Sequence, residues 1–150
     1  MRQITGLLRG LRQGGGDRGS AAVEAAIVIP GVIALISLAW AAGRIGIAQS
    51  KVDAAAIDAA RAASIHRTAA AGQPAAAAAA QGALRDQGLR CSATSVRVDA
   101  SGLGAPVGEV GTVTVTVSCT VPLADLTIPS PGAKTMTSTF TSVVDAYRQR

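Results

Sequence analysis

Large aromatic side chains are almost missing from this chain of 150 residues, which has one Trp, one Tyr and one Phe. Aromatic rings usually fill the cores and ligand pockets of globular proteins, whereas the 49% of hydrophobic residues here comes mainly from Ala, Val and Ile. A deep pocket for a small molecule is therefore not expected. The length leaves room for one modest domain and an anchor.

Histidine is equally scarce, since His66 is the only one. A Ser/His/acid triad would have to use it, and Ser64 is too close in sequence on the same predicted helix for the usual arrangement. No Cys or acid cluster stands near His66 in the sequence, so a metal site is not expected. Neither GxGxxG nor a P-loop is present, because the glycine run 14–16 lies in a polar leader. The chain is predicted not to be an enzyme and to use no cofactor.

The sequence downstream of the leader also lacks a Lys/Arg cluster alternating with aromatic residues. The net charge is +5, but the segment before the long apolar run holds four of the fourteen basic residues and one acid. These leader arginines are Arg2, Arg9, Arg12 and Arg18. From Ser20 onward ten basic residues face eight acidic ones, and no Lys/Arg cluster alternates with aromatics. Nucleic acid is therefore not an expected partner.

The longest apolar run, residues 21–43, carries a single charge, Glu24. As a helix it measures about 34 Å, enough to cross the hydrocarbon core of a bilayer. The leader arginines, compared with the nearly balanced charges after Gly43, predict a cytoplasmic N-terminus and a C-terminal domain outside. We expect a single-pass protein of the cell membrane, with a basic leader at 1–19 and a transmembrane helix at 20–44.

Two other interpretations of this run stay open. Ala39-Trp40-Ala41 offers a signal-peptidase motif, although the run exceeds the usual signal core and continues past Arg44 into a helical pattern. A buried core helix is the other interpretation, but the rest of the chain is too small to enclose it.

Glu24 is the unusual residue of the run. A carboxylate in the middle of a bilayer costs roughly 2.5 to 3.5 kcal/mol, although so near the charged border the cost is smaller. Considered alone, Glu24 is explained as an interfacial acid at a helix N-terminus, where it complements the helix dipole.

The surrounding residues suggest more. The stretch Arg18-Gly19-Ser20-Ala21-Ala22-Val23-Glu24, followed by apolar residues that include Pro30, resembles the N-terminus of TadE-like proteins. These are minor pilins (pseudopilins) of the tight-adherence (Flp-type) pilus system, related to type IV pilins. One departure is Ala25, where major pilins have an aromatic residue.

The resemblance implies specific roles for three residues. Prepilin peptidase would cut between Gly19 and Ser20 on the cytoplasmic face. Glu24, then the fifth residue of the mature chain, would pair with the amino terminus of a neighbouring subunit. The implied partners are the membrane, the peptidase, other pilin and pseudopilin subunits and the pilus assembly platform. The alternative function is a membrane-tethered extracytoplasmic binding domain that does not enter a filament.

Downstream of Arg44 the helical pattern continues. Small apolar residues recur at three- and four-residue spacing from Ala48 to Ala63, which predicts one helix from about Ser20 to Arg67, with 45–67 outside the membrane. Its small residues suit close packing against another helix or against the protein's own sheet. The Ala-rich segment 68–90 predicts a short second helix from Pro74 to Gln87, with a break around Ala71–Gly72 and a stop at Gly88. A flexible linker is the alternative.

Residues 91–150 change to a period of two. Val and Cys alternate with Thr and Ser over 112–121, and shorter patterns predict strands at Ser95–Ala100 and Lys134–Tyr147. The expected fold is α+β, a long pilin-like helix and a short one with a small antiparallel meander. In an exported domain Cys91 and Cys119 would form a disulfide that stabilises by about 3 to 4 kcal/mol, and two buried free thiols are the alternative.

Overall fold

The computed structural model describes residues 16–126, 128 and 131–146. Along these residues it has two α-helices, α1 (Gly16–Ser64) and α2 (Ala69–Asp86), and three strands, β1 (Ala93–Asp99), β2 (Gly111–Pro122) and β3 (Ala133–Val144). Short 3-10 turns stand at Ser101–Gly104 and Leu123–Leu126. The predicted α+β class is confirmed. The described residues form two compact units, which divide after Trp40, so α1 contributes to both.

In the first unit the described residues form the N-terminal part of α1. The helix passes through Pro30 without ending. Every residue from 22 to 40 is exposed, including Ile27 at 73%, Leu35 at 69% and Trp40 at 63%. Among the described residues, nothing therefore buries the side chains of this part of α1.

The second unit has a core of small side chains. The C-terminal part of α1 contributes one buried stripe of side chains to this core: Ala48, Val52, Ala55, Ala56, Ala59, Ala60 and Ala63. Helix α2 adds Ala76, Ala80 and Leu84 to the same core. The largest fully buried side chains are Met136, Cys119 and valines, so this core is filled with small and medium side chains in place of aromatic rings.

The sheet has the order β1-β2-β3 and is antiparallel throughout. The period of two predicted for β2 is confirmed, because Val113, Val115, Val117, Cys119 and Val121 are all at most 1% exposed. The alternate face of β2 carries hydroxyl groups that pair with threonines of β3. Four such pairs have oxygen–oxygen distances of 2.9–3.0 Å: Thr114–Thr141, Thr116–Thr139, Ser118–Thr137 and Thr120–Thr135.

Side-chain hydrogen bonds fix α1 on the rest of the second unit. Gln49 Nε2 donates to the backbone oxygen of Thr137 at 3.1 Å, and Ser142 Oγ donates to Ser64 Oγ at 3.2 Å. Both bonds connect α1 to β3, which is an edge strand of the sheet. The predicted third strand ends at Val144 instead of continuing, and Tyr147 lies outside the described residues.

Helix α2 starts earlier than its sequence predicted. Thr68 is its N-cap and accepts a hydrogen bond from the backbone N–H of Ala71 at 3.3 Å, so the predicted break at Ala71–Gly72 was wrong and Pro74 lies inside the helix. Gly72 is buried because α2 packs closely there. A Cβ on Gly72 would lie 2.9 Å from Leu103 Cδ1 and 3.3 Å from the backbone oxygen of Ala63.

The predicted stop at Gly88 is confirmed. Gly88 has φ +67° and its N–H donates to Arg85 O at 2.9 Å, while Leu89 N–H donates to Leu84 O at 2.9 Å. These two bonds form a Schellman motif, which needs the left-handed conformation that glycine adopts at little cost. Leu84 and Leu89 are both buried beside it.

A close backbone approach at the first 3-10 turn gives a stability prediction. A Cβ on Gly102 would collide with the backbone of Thr112, whereas one on Gly104 would meet nothing within 4 Å. We expect Gly102→Ala to lower the free energy of unfolding by about 1–3 kcal/mol through overpacking. Gly104→Ala, the matched control in the same turn, is expected to change it by less than about 0.5 kcal/mol. Thermal denaturation of the detergent-solubilised protein measures both, and equal melting temperatures for the two variants would contradict the argument.

Candidate functional site

The predicted cleavage site lies at the start of α1. The backbone of Gly19 and Ser20 is helical and belongs to α1, while residues 1–15 of the leader lie outside the described residues. The structure thus extends the helix four residues upstream of the predicted start at Ser20. Cleavage after Gly19 stays a prediction.

Glu24 lies one turn further along α1 and is exposed. Of its neighbours at three and four residues along the helix, Ala21, Ile27 and Val28 are apolar and Ser20 has an uncharged side chain, so none of these side chains can form an ion pair with it. Val23 and Ile27 beside it are 63% and 73% exposed. The carboxylate therefore stands on an apolar helix surface, where a cation from another molecule would have direct access.

The surface around Glu24 has the dimensions of a membrane span. Among the described residues one helix, Ala22–Ser64, is long and apolar enough to cross a membrane. Its most apolar window of 18 residues has a mean hydropathy of 2.3, and none of that window is buried within the protein. A buried core helix, one of the alternative interpretations, does not agree with this exposure.

The two cysteines are joined. Cys91 and Cys119 form a disulfide with a Cα–Cα distance of 5.4 Å across 28 positions of sequence, so the prediction of a disulfide is confirmed and that of free thiols is wrong. Cys119 lies on the buried face of β2 and is 0% exposed, whereas Cys91 is partly exposed in the segment before β1. The bond thus ties the exit from α2 to the central strand.

The remaining polar groups have local roles. Ser101 follows β1 and donates hydrogen bonds to the carboxylate of Asp99 from its side chain and from its backbone nitrogen, the latter at 3.1 Å. These bonds hold the pKa of Asp99 below the ordinary value of 3.8. Helix α1 ends at Ser64, before the predicted end at Arg67, so His66 lies in the turn between α1 and α2 instead of on the helix. Within the described part of the chain, no three His, Cys, Asp or Glu side chains are grouped closely enough to hold a metal ion.

Comparison with known proteins adds one finding. Residues 19–61 match the model of a family described as TadE-like protein. Searches of the curated proteins and of the solved structures found no match. The matched segment begins at Gly19, contains Glu24 and covers most of α1, less than a third of the chain. Over this segment, and over the apolar helix that it forms, the chain is similar to TadE-like proteins.

Proposed function

We propose that this protein is a minor pilin (pseudopilin) that takes part in assembly of a tight-adherence pilus, inserted in the membrane and processed after Gly19. The observation that carries the proposal is the TadE-like match over a helix whose residues 22–40 are all exposed and include one charge, Glu24. An apolar surface of this extent needs a cover. Lipid would cover it before assembly, and the helices of other subunits afterwards.

Two observations support an orientation with the second unit outside the cytoplasm. Four arginines precede the apolar run, which favours a cytoplasmic N-terminus. The second unit contains the Cys91–Cys119 disulfide, and disulfides persist in oxidising compartments outside the cytosol. Each observation supports the same topology independently of the other.

The proposed role of Glu24 is the one that the resemblance to TadE-like proteins implies, and its surroundings give that role a physical reason. An unpaired carboxylate on an apolar helix is costly once water is removed, and an opposite charge nearby removes most of that cost. Cleavage after Gly19 would create an ammonium group on Ser20. The amine of one subunit could then neutralise Glu24 of the next, and the pair would set the register of the two helices.

The test combines processing with insertion. Mass spectrometry of the full-length protein, expressed in its pilus-bearing host and extracted from carbonate-washed membranes, is expected to show Ser20 as the first residue. Gly19→Leu should leave the leader attached. Gly31→Leu is the matched control, because a Cβ there would meet nothing within 4 Å among the described residues.

The other outcomes are equally informative. A protein that stays in the membrane with its leader attached would favour the alternative, an anchored binding domain that does not enter a filament. A terminus after Ala41 would overturn both proposals, because the apolar helix would then be a removed signal sequence.

A further inference from the structure

A basic cavity of about 240 Å³ lies in the second unit. Four charged residues line it: Arg44 and Lys51 of α1, Arg90 from the segment after α2, and Asp125 from the second 3-10 turn. Three cations and one carboxylate give the lining a net charge of +2 at neutral pH. The arrangement favours a ligand with a net negative charge.

The three basic side chains of the cavity differ in their hydrogen bonding and in their exposure. Lys51 Nζ donates to the backbone oxygen of Gln87 at 2.7 Å, at the C-terminal end of α2, so its position is fixed while its other N–H groups stay available. Arg44 is half-buried, and its guanidinium can bind two oxygens of one phosphate group. Arg90 is exposed at the rim.

The rest of the lining is apolar. Ala48, Leu89, Val121 and Leu126 are at most 9% exposed, and Ile47 at 57% adds an open apolar side. A simple inorganic anion gains nothing from such walls. A molecule with a phosphate next to a glycerol and hydrocarbon part would use both halves of the cavity.

The position of the cavity along the chain identifies the source of that molecule. Arg44 directly follows the apolar run 21–43, and Lys51 is seven residues further, about 10 Å along a helix. The polar headgroup layer occupies about 5–8 Å on each side of the hydrocarbon core. If residues 21–43 cross the bilayer, chain continuity places Arg44 at headgroup depth and Lys51 near the outer edge of the headgroup layer.

We infer that the cavity binds the headgroup of an anionic glycerophospholipid in the outer leaflet. The inference rests on the proposed membrane insertion of α1. Arg44 and Lys51 would hold the phosphodiester, Arg90 would close over it, and the apolar walls would receive the glycerol region. The excess of positive charge distinguishes such a lipid from zwitterionic ones.

Trp40 makes the test direct, because it is the only tryptophan and precedes Arg44 by four residues. The full-length protein is placed in phosphatidylcholine vesicles that contain a fixed fraction of a lipid with brominated chains. In one set this brominated lipid is phosphatidylglycerol, and in the other it is phosphatidylcholine. Bromine quenches tryptophan fluorescence on contact. We expect stronger quenching by brominated phosphatidylglycerol, with a relative affinity that falls about fivefold when one cation is removed.

Arg90→Gln is the decisive variant, since Arg90 is exposed and distant in sequence from the membrane segment. Arg97→Gln, an exposed arginine of β1 that does not line the cavity, is the matched control and should keep the preference. Equal loss in both variants would overturn the inference, because only general surface charge would then attract the lipid. Circular dichroism confirms that each variant is folded.

Further experiments distinguish a lipid headgroup from a free phosphate ion, and the lipid site from the proposed membrane insertion. Loss of the preference in millimolar inorganic phosphate would assign the cavity to the free anion and overturn the lipid assignment. Equal quenching by brominated phosphatidylethanolamine would overturn the requirement for net negative charge. Release of the protein by alkaline carbonate would contradict membrane insertion itself. A retained protein without lipid preference would contradict this inference alone.

Discussion

Glu24→Ala protein is expected to enter the membrane at least as well as the unaltered protein but to be lost from sheared pilus fractions. A carboxylate at the bilayer centre costs roughly 2.5–3.5 kcal/mol, so its removal from a site near the border cannot hinder insertion. The same removal would leave the proposed amine of the neighbouring subunit buried without a partner. Breaking a buried pair in this way costs about 3–5 kcal/mol, on the order of a hundredfold or more in association.

The expected opposite effects on insertion and assembly make the result specific. Carbonate-resistant protein is measured in membranes, and incorporated protein is measured in pili by immunoblotting. Asp58→Ala is the matched control, because Asp58 is an exposed acid on the same helix outside the apolar run. Glu24→Gln keeps the size of the side chain and removes the charge, so it should fail like Glu24→Ala. Normal incorporation of the Gln variant would contradict the pairing role.

A combined variant tests whether Glu24 acts through the processed terminus. Gly19→Leu would prevent the new ammonium group from forming, so its assembly defect should resemble that of Glu24→Ala. Since both variants remove one side of the same proposed pair, their effects should not add. A double variant much worse than either single variant would show that the two residues act separately.

The sequence predicted the elements whose pattern is local. The alternation of Val and Thr in β2 indicated which face is buried, and the spacing of Ala48, Val52, Ala55 and Ala59 indicated the stripe of α1. In both cases one side of a regular element meets the core, so the period of the sequence equals the period of the structure. The motif around Gly19 and Glu24 is local too, and it was recognised by its order along the chain.

The start of α2 could not be predicted in this way. Pro74 suggested a first helical position, but Thr68 provides the cap and the helix runs through the proline. The carbonyl that loses its donor to Pro74 belongs to Ala70, which is exposed, so water can satisfy it. Gly72 suggested a break in the helix, but in the structure it is a helical residue that packs closely against Leu103 and Ala63. That packing depends on tertiary structure, so the sequence alone does not reveal it.

The basic cavity has no signature in the sequence. Arg44 and Lys51 are evident next to the apolar run, but Arg90 and Asp125 come from segments far along the chain. Their convergence depends on the turn at Gly88 and on the connection between β2 and β3. Such a site is found only after the fold has been determined.

Loss of the disulfide is expected to have the largest effect on stability. A crosslink over 28 positions restricts the unfolded chain by about 3.5 kcal/mol in the loop-entropy model. This is a large share of the 5–15 kcal/mol that stabilises most domains, and this core has few large side chains to compensate. Cys91→Ser should therefore lower the melting temperature of the second unit by on the order of 15 °C.

The two cysteines provide an internal comparison. Cys91→Ser leaves Cys119 as a buried thiol, which behaves as a small apolar group. Cys119→Ser instead places a hydroxyl on the fully buried face of β2, beside Val117 and Val121, and should cost roughly 1–3 kcal/mol more. Circular dichroism melts are recorded with and without a reducing agent. Reduction should bring the unaltered protein close to Cys91→Ser and leave both variants unchanged, whereas an unaltered protein that melts at the same temperature in both conditions would contradict a stabilising crosslink.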